Sequence, residues 1–220
     1  MRKTRATVVT IRTTIQPGNK AYEHTIVIAN GRARSGDELD RWRLFDFAND
    51  RVTFVDDVSK TFRTVPMATL VHDRLAAIDD KLPDNIPRAQ LVATNATRSI
   101  DGVNAKQSVV RLGGYVHELW IGAHPSIPPQ LFPMMIASRA PSSPYEPVMK
   151  TVDRALMDVK GFPLAEHSEL PYGNKKMVVD KSVVAIDQRE VPNTMLNVPA
   201  TYRNVATTPT APAASPRSAS

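Results

Sequence analysis

The sequence predicts an α+β protein, mostly β, built on a curved antiparallel sheet of about nine strands, a half-barrel, with two or three helices covering one face. Three observations predict it. Apolar and polar residues alternate with period two through most of residues 7–65, the mark of half-buried strands. Short polar turn signals separate the alternating runs, and parallel strands would need long crossovers instead. Helical periodicity is confined to a few stretches lying between strands.

Taken in order, Thr7 to Ile15 sets Val9, Ile11 and Ile15 on one face and Thr10, Arg12 and Thr14 on the other. Pro17-Gly18-Asn19 makes a turn, since Pro fixes φ while Gly and Asn tolerate positive φ. His24 to Ala29 is a second strand, ended by the hairpin dipeptide Asn30-Gly31. Trp42 to Ala48, Arg51 to Val55 and Lys60 to Val65 follow, completing a five-strand meander with connections at Asn49-Asp50 and Asp56-Asp57. Pro66 then suits a first helical position, and Met67, Leu70, Val71, Leu75 and Ile78 share one helical face that Pro83 and Pro87 close. Strands resume at Leu91 to Thr97, Ala105 to Leu112 and Tyr115 to Ile121, turning at Asp101-Gly102 and Gly113-Gly114. Ile127 to Ile136, interrupted by prolines, reads as a short broken helix. Tyr145 to Val159 reads as a better one, with Val148, Val152, Leu156 and Val159 on one side and Gly161 as its stop. Phe162 to Leu170 and Lys176 to Gln188 form a last hairpin. Residues 1–206 thus make a single domain, and 207–220, almost all Ala, Pro, Ser and Thr, make a disordered tail.

Composition excludes several classes of chemistry. There is no cysteine, so disulfides, thiolate nucleophiles and thiolate metal sites are absent. The net charge of +6 gathers at Arg2, Lys3, Arg5 and Arg12 and around an early turn at Arg32, Arg34, Arg41 and Arg43. With no nucleic-acid motif present, these arginines read as solubilising strand edges, and no nucleic-acid partner is expected. No stretch approaches the ~18 apolar residues of a membrane span, so no transmembrane segment is expected. The five histidines, His24, His72, His117, His124 and His167, lack metal-ligand spacing and read as surface or packing residues, with 117 and 118 on opposite faces of a strand. Acidic runs at 37–40, 56–57 and 79–80 fall at turns and helix ends, where carboxylates cap backbone. No nucleophile elbow, phosphate loop or dinucleotide fingerprint follows a strand. No catalytic residue, cofactor or metal is therefore expected, and the chain is not read as an enzyme.

The residues with most to offer a ligand are apolar. Leu131, Phe132, Met134 and Met135 form a pliable surface of the kind that covers variable apolar ligands. Trp42, Phe45, Phe54, Phe62 and Trp120 are the aromatic candidates for lining a cavity with them. The alternative is that both groups simply fill a core.

Short motifs along the chain carry a resemblance. Trp42-Arg43-Leu44-Phe45-Asp46, Val55-Asp56-Asp57, Lys60-Thr61-Phe62, Ile100-Asp101-Gly102-Val103, Glu118-Leu119-Trp120-Ile121, Gly161-Phe162-Pro163-Leu164 and Val198-Pro199-Ala200-Thr201-Tyr202 occur in that order. The order and spacing, over most of residues 7–204, resemble an uncharacterised bacterial family of exported proteins. That family is similar in architecture to the periplasmic lipoprotein carriers, whose curved sheet wraps helices around a cavity for acyl chains. The resemblance implies a half-barrel and handling of a lipid or lipoprotein acyl chain; it implies no catalytic residues. Two departures stand out: Ala105 where members often carry Cys, and no signal peptide or lipobox. An upstream signal peptide missing from the sequence would place the protein in the periplasm or cell envelope, and a genuine start in the cytoplasm. Two readings follow, a non-catalytic envelope protein that binds an apolar ligand, or a protein–protein interaction module with a filled core and an envelope protein as partner.

Overall fold

A computed structural model describes residues 2–38, 40–79, 87–139 and 146–205. Its strands are β1 (Lys3–Gln16), β2 (Lys20–Ala29), β3 (Arg32–Glu38), β4 (Arg41–Asp46), β5 (Arg51–Asp56), β6 (Thr61–Pro66), β7 (Gln90–Ile100), β8 (Val103–Leu112), β9 (Tyr115–Gly122), β10 (Phe162–Tyr172), β11 (Lys175–Pro192) and β12 (Arg203–Asn204). Three helices, α1 (Met67–Asp79), α2 (Leu131–Ala137) and α3 (Glu146–Met157), interrupt them. All twelve strands join one open sheet in the order β12-β6-β5-β4-β3-β2-β1-β11-β10-β9-β8-β7. Only the short β12–β6 pair is parallel. Positive φ at Asn30 and Gly31 (52° and 70°) and at Asp101 and Gly102 (47° and 74°) shows the tight turns that those dipeptides favour.

Strands β1–β6 form one meander and β7–β11 a second. The two are sewn together by β1 and β11, which run antiparallel from Lys3 opposite Pro192 to Gln16 opposite Val178. The sheet curls. Val52 of β5 and Val110 of β8 belong to one core cluster with Phe132, Val152 and Leu156. Yet β5 and β8 lie eight strand positions apart. At about 4.8 Å per position a flat sheet would hold them roughly 38 Å apart. Wrapping the helices brings them to a common core.

The strand count exceeds the expectation of about nine, with β3 and the two-residue β12 having no counterpart among the runs read from the sequence. Arg-Ala-Arg-Ser-Gly-Asp-Glu has no β-branched residue and reads as a turn with flanking arginines. Backbone pairing to β2 and β4 on both sides makes it a strand regardless. Pro66 ends β6 rather than opening α1. Pro83, Tyr145 and the tail from 206 onward lie outside the described residues.

A larger difference concerns burial. Alternation predicts one buried face for β1, but Ala6 and Val8 are as buried as Val9, at 1%, 0% and 0% exposure. A second core lies on the outer face, made by Ala6, Val8, Val27, Ala29, Trp42, Leu44, Val55, Val191 and Leu196. It is covered by the segment after β11, a 3₁₀ turn (Asn193–Leu196) and the run to Tyr202. Asp57 fastens this strap, accepting hydrogen bonds from the Trp42 indole at 2.9 Å and the Tyr202 hydroxyl at 3.0 Å. The Arg34 guanidinium lies 4.0 Å over the Trp42 ring. The early tryptophan motif and the closing Val-Pro-Ala-Thr-Tyr motif therefore meet in space.

A candidate ligand cleft on the inner face

Cross-strand register places a row of polar side chains on the otherwise apolar inner face. Thr13 stands opposite Tyr22 on β2 and opposite Lys181 on β11, and Lys181 stands opposite Glu166 on β10. Four adjacent strands thus contribute one residue each. Their flanking partners on the same face, Ile11, Val183 and Leu164, are buried and apolar. Over this row sits a cleft of ≈230 Å³. One wall is apolar, from Phe132 and Met135 of α2 with Phe162 and Leu164 of β10. Phe132 and Phe162 meet edge to face, 6.5 Å between centroids. The other wall carries Arg43 of β4 and Arg139, just past α2.

Glu166 is the most constrained charge in the cleft. Burial opposes its ionisation, but Lys181, a hydrogen bond from His117 and the nearby Arg139 outweigh it and hold the carboxyl well below the usual carboxylate range. Its Oε2 lies 3.0 Å from His117 Nε2, and its Oε1 lies 3.6 Å from Lys181 Nζ. An ionised carboxylate only accepts, so Nε2 carries the proton and donates it. The other ring nitrogen, Nδ1, meets the Tyr115 hydroxyl at 3.0 Å. Burial pushes that phenol far above its ordinary range, so it stays protonated. His117 is 3% exposed and does not line the cleft. With both ring nitrogens engaged, it fixes the position of Glu166 and does not face a substrate.

Arg139 is held less tightly. Its Nη1 is 3.4 Å from Asp153 of α3, a buried carboxylate that also pairs closely with Arg74 of α1. Two guanidinium groups share one acid there. Arg43 donates to Ser138 Oγ at 3.0 Å. The Thr13 hydroxyl is buried, lines the cleft, and has no hydrogen-bond partner among the described residues.

Of the nine apolar candidates, Phe132 and Met135 alone line this cleft. Leu131 and Phe45, both 0% exposed, are core. Phe54 lies on the inner face under the Arg63 guanidinium, 4.2 Å from its centroid. Met134 turns to a separate open groove of ≈610 Å³ with Phe47, Met67, Val71 and Leu75. Trp42 and Phe62 belong to the outer core beneath the strap, so the nine do not share one cavity. Trp120 follows the buried Leu119 and takes the other face of β9, where Arg98 covers it at 4.1 Å. The histidines read as packing or surface residues divide: His72 is exposed, while His117 is part of the buried network and His167 pairs with Asp180 at 2.6 Å. Among the described residues no three His, Asp and Glu side chains are grouped as a metal site would need, and no helix is long and apolar enough to cross a membrane.

The polar half of the cleft left a signal that apolar candidates conceal. Thr13 interrupts Ile11 and Ile15, Lys181 interrupts Val179 and Val183, and His117 interrupts Tyr115 and Leu119, each at an inward position of its alternation. A charged or polar residue at a core-facing step is costly unless something pairs with it.

Comparisons add likeness of chain path at long distance. No protein-family model matches the chain, and no curated protein matches it. Two solved structures of PNGF-II, in the C2 and P21 space groups, are similar to it at 10% and 11% identity, with TM-scores of 0.49 and 0.45. Each likeness covers 92% of this chain, which spans only 31% and 32% of those proteins.

Proposed function

We propose that this chain is a non-catalytic binding protein that holds a small amphipathic ligand between the inner face of its sheet and α2. The observation that carries the proposal is the cleft's division into an apolar wall of Phe132, Met135, Phe162 and Leu164 and a polar floor of Thr13, Lys181 and Glu166. At ≈230 Å³ the cleft lies below the roughly 300–1,000 Å³ of drug-sized sites. A whole long-chain lipid does not fit it; a short acyl chain or one end of a longer molecule does. His117 is engaged by Glu166 and Tyr115 and does not line the cleft, so it holds the polar floor in place and is not offered to a ligand as a base. A place in the bacterial cell envelope belongs to the same reading, as does an acyl-bearing ligand.

The test is native mass spectrometry of detergent-free protein with organic extraction, followed by amide chemical-shift mapping with octanol and octanoate. A co-purifying apolar compound, or saturable shifts centred on α2, β10 and β11, is the expected result. A bare polypeptide with no shift from either probe overturns the reading. A second reading, an interaction module, has its own support in the open apolar groove between α1, α2 and the β4–β5 turn. In that case a protein partner protects Met67, Val71, Leu75 and Met134, and the inner cleft stays indifferent to acyl probes.

A further inference from the structure

We infer that the ligand's polar end is an anion, specifically the carboxylate of a short acyl chain, seated between Lys181 and Arg139 with the Thr13 hydroxyl as a third contact. The inference rests on the binding reading above and specifies the chemistry of its occupant.

Charge balance is the first support. Arg139 and Lys181 line the cleft against the carboxylate of Glu166. Including the adjoining pair of Arg74 with Asp153 leaves three cations, Arg74, Arg139 and Lys181, facing two carboxylates among the described residues. A partly buried surplus of like charge is unfavourable alone and is relieved when a counter-charge enters.

Geometry is the second. Lys181 stands 3.6 Å from Glu166, outside hydrogen-bond range, and its side chain is 31% exposed. An ammonium has three donors, and that contact uses none of them well. Arg139, 34% exposed, shares Asp153 with the much less exposed Arg74 and reaches it only at 3.4 Å. Its guanidinium carries five donors, and this one long contact leaves a pair to present to a bidentate oxyanion. Glu166 commits its Oε2 to His117 and turns only Oε1 to Lys181, at 3.6 Å, so an incoming carboxylate takes the ammonium donors on the side away from Glu166. Thr13 then supplies what an anion lacks from cations alone: a buried, uncharged hydroxyl without a partner, in direct register with Lys181. As a donor it completes the shell of an incoming carboxylate and is itself satisfied.

The apolar wall decides against a bare inorganic anion. Phe132, Met135, Phe162 and Leu164 offer an entering phosphate or sulfate nothing but desolvation. A hydrocarbon tail gains there about 25 cal/mol for each Å² removed from water. At about 30 Å³ for each methylene-sized group, the share of a water molecule in its liquid, ≈230 Å³ holds roughly eight such groups. Octanoate is therefore the natural probe.

Titration calorimetry of the full chain with octanoate, octanol and inorganic phosphate tests the assignment, with Lys181→Met, Arg139→Gln and Thr13→Val beside the parent. Octanoate should bind at least about tenfold tighter than octanol and weaken as salt is raised, since exposed charge attraction is screened. Phosphate should bind far more weakly than octanoate. Lys181→Met and Arg139→Gln should each erode the preference for octanoate over octanol by about three- to tenfold. Urea midpoints for each variant establish that it is folded, and Thr13→Val, nearly isosteric, gives a test that leaves every charge in place. Equal affinity for octanol and octanoate overturns the anion assignment while the binding reading stands. Silence from both overturns the two together. Phosphate binding as tightly as octanoate also overturns it, because the tail would then contribute nothing.

Discussion

Val8 and Val9 are neighbours on β1, both fully buried, and they point into different cores. Truncating each to Ala tests whether the outer core under the C-terminal strap is as consequential as the inner one. Val→Ala removes two methyl-sized groups, about 1.6 kcal/mol of transfer free energy at about 0.8 kcal/mol each. If the void left behind, on the order of 45 Å³, does not collapse, about 24 cal/mol per Å³ adds a further ~1 kcal/mol. Each substitution should therefore cost about 1.5–3 kcal/mol, and the two should agree within about 1 kcal/mol. Leu196→Ala, which thins the strap over Val8, should cost about 2–3 kcal/mol. Arg12→Ala, on an exposed stretch of β1 where it pairs with Glu23 at the surface, should cost under ~0.5 kcal/mol. Urea unfolding measures all four, a shifted midpoint with unchanged slope marking a true stability change. A Val8→Ala cost under ~0.5 kcal/mol beside a normal Val9→Ala cost would refute the two-sided core. The strap would then be a loosely laid tail.

Gly161, which enters β10 at φ +119°, has no room for a side chain: an added Cβ would lie 2.8 Å from the Gly122 carbonyl oxygen and 2.9 Å from Ile121. Gly161→Ala should lose about 2–4 kcal/mol by thermal or urea unfolding, combining backbone strain with overpacking, and a loss under ~1 kcal/mol would contradict the geometry. Glu166 supplies the pH dependence. Its folded pKa lies below the unfolded value of about 4.5, so its stabilisation is complete above that pH and lost as pH falls further toward the folded value. Glu166→Gln should flatten the acid limb of stability between about pH 5 and 3 and lower stability at pH 7; a parent and variant with parallel acid limbs would show that another carboxylate is responsible.

Much of this fold was written locally and some of it was not. Alternation and the dipeptides Asn30-Gly31 and Asp101-Gly102 locate most strands, because they act through nearest neighbours and backbone sterics. Arg32–Glu38 could not be read so, since its strand state is imposed by partners on both sides. The pairing of β1 with β11 joins residues nearly the whole chain apart, and no local pattern encodes it. The same holds for the strap, which turns the outward side of β1 into core. Apolar residues at both parities of Ala6-Thr7-Val8-Val9 were the available hint that both faces are covered.

The cleft shows the same division between local and non-local information. Phe132 and Met135 could be named because apolar residues among prolines stand out on their own. Thr13, Lys181 and Glu166 acquire meaning only when β1, β11 and β10 are set side by side in register. In its own strand each is one inward polar residue breaking an alternation, a mark that says nothing of a ligand where a helix end or water can reach it. Side by side they become a row across the sheet, lying between apolar rows and closed over by an aromatic helix. An arrangement that places Lys181 beyond hydrogen-bond range of Glu166 and leaves Thr13 unsatisfied is a poor way to fill a core. Had stability alone shaped this face, apolar residues at 166 and 181 together would remove the cost of burying the Glu166 carboxylate. The retained charges make sense when a negatively charged group completes them, and Lys181→Met tests this: a folded protein, destabilised by the loss of a partner to Glu166, that has also lost its preference for octanoate over octanol is one whose lysine served the ligand.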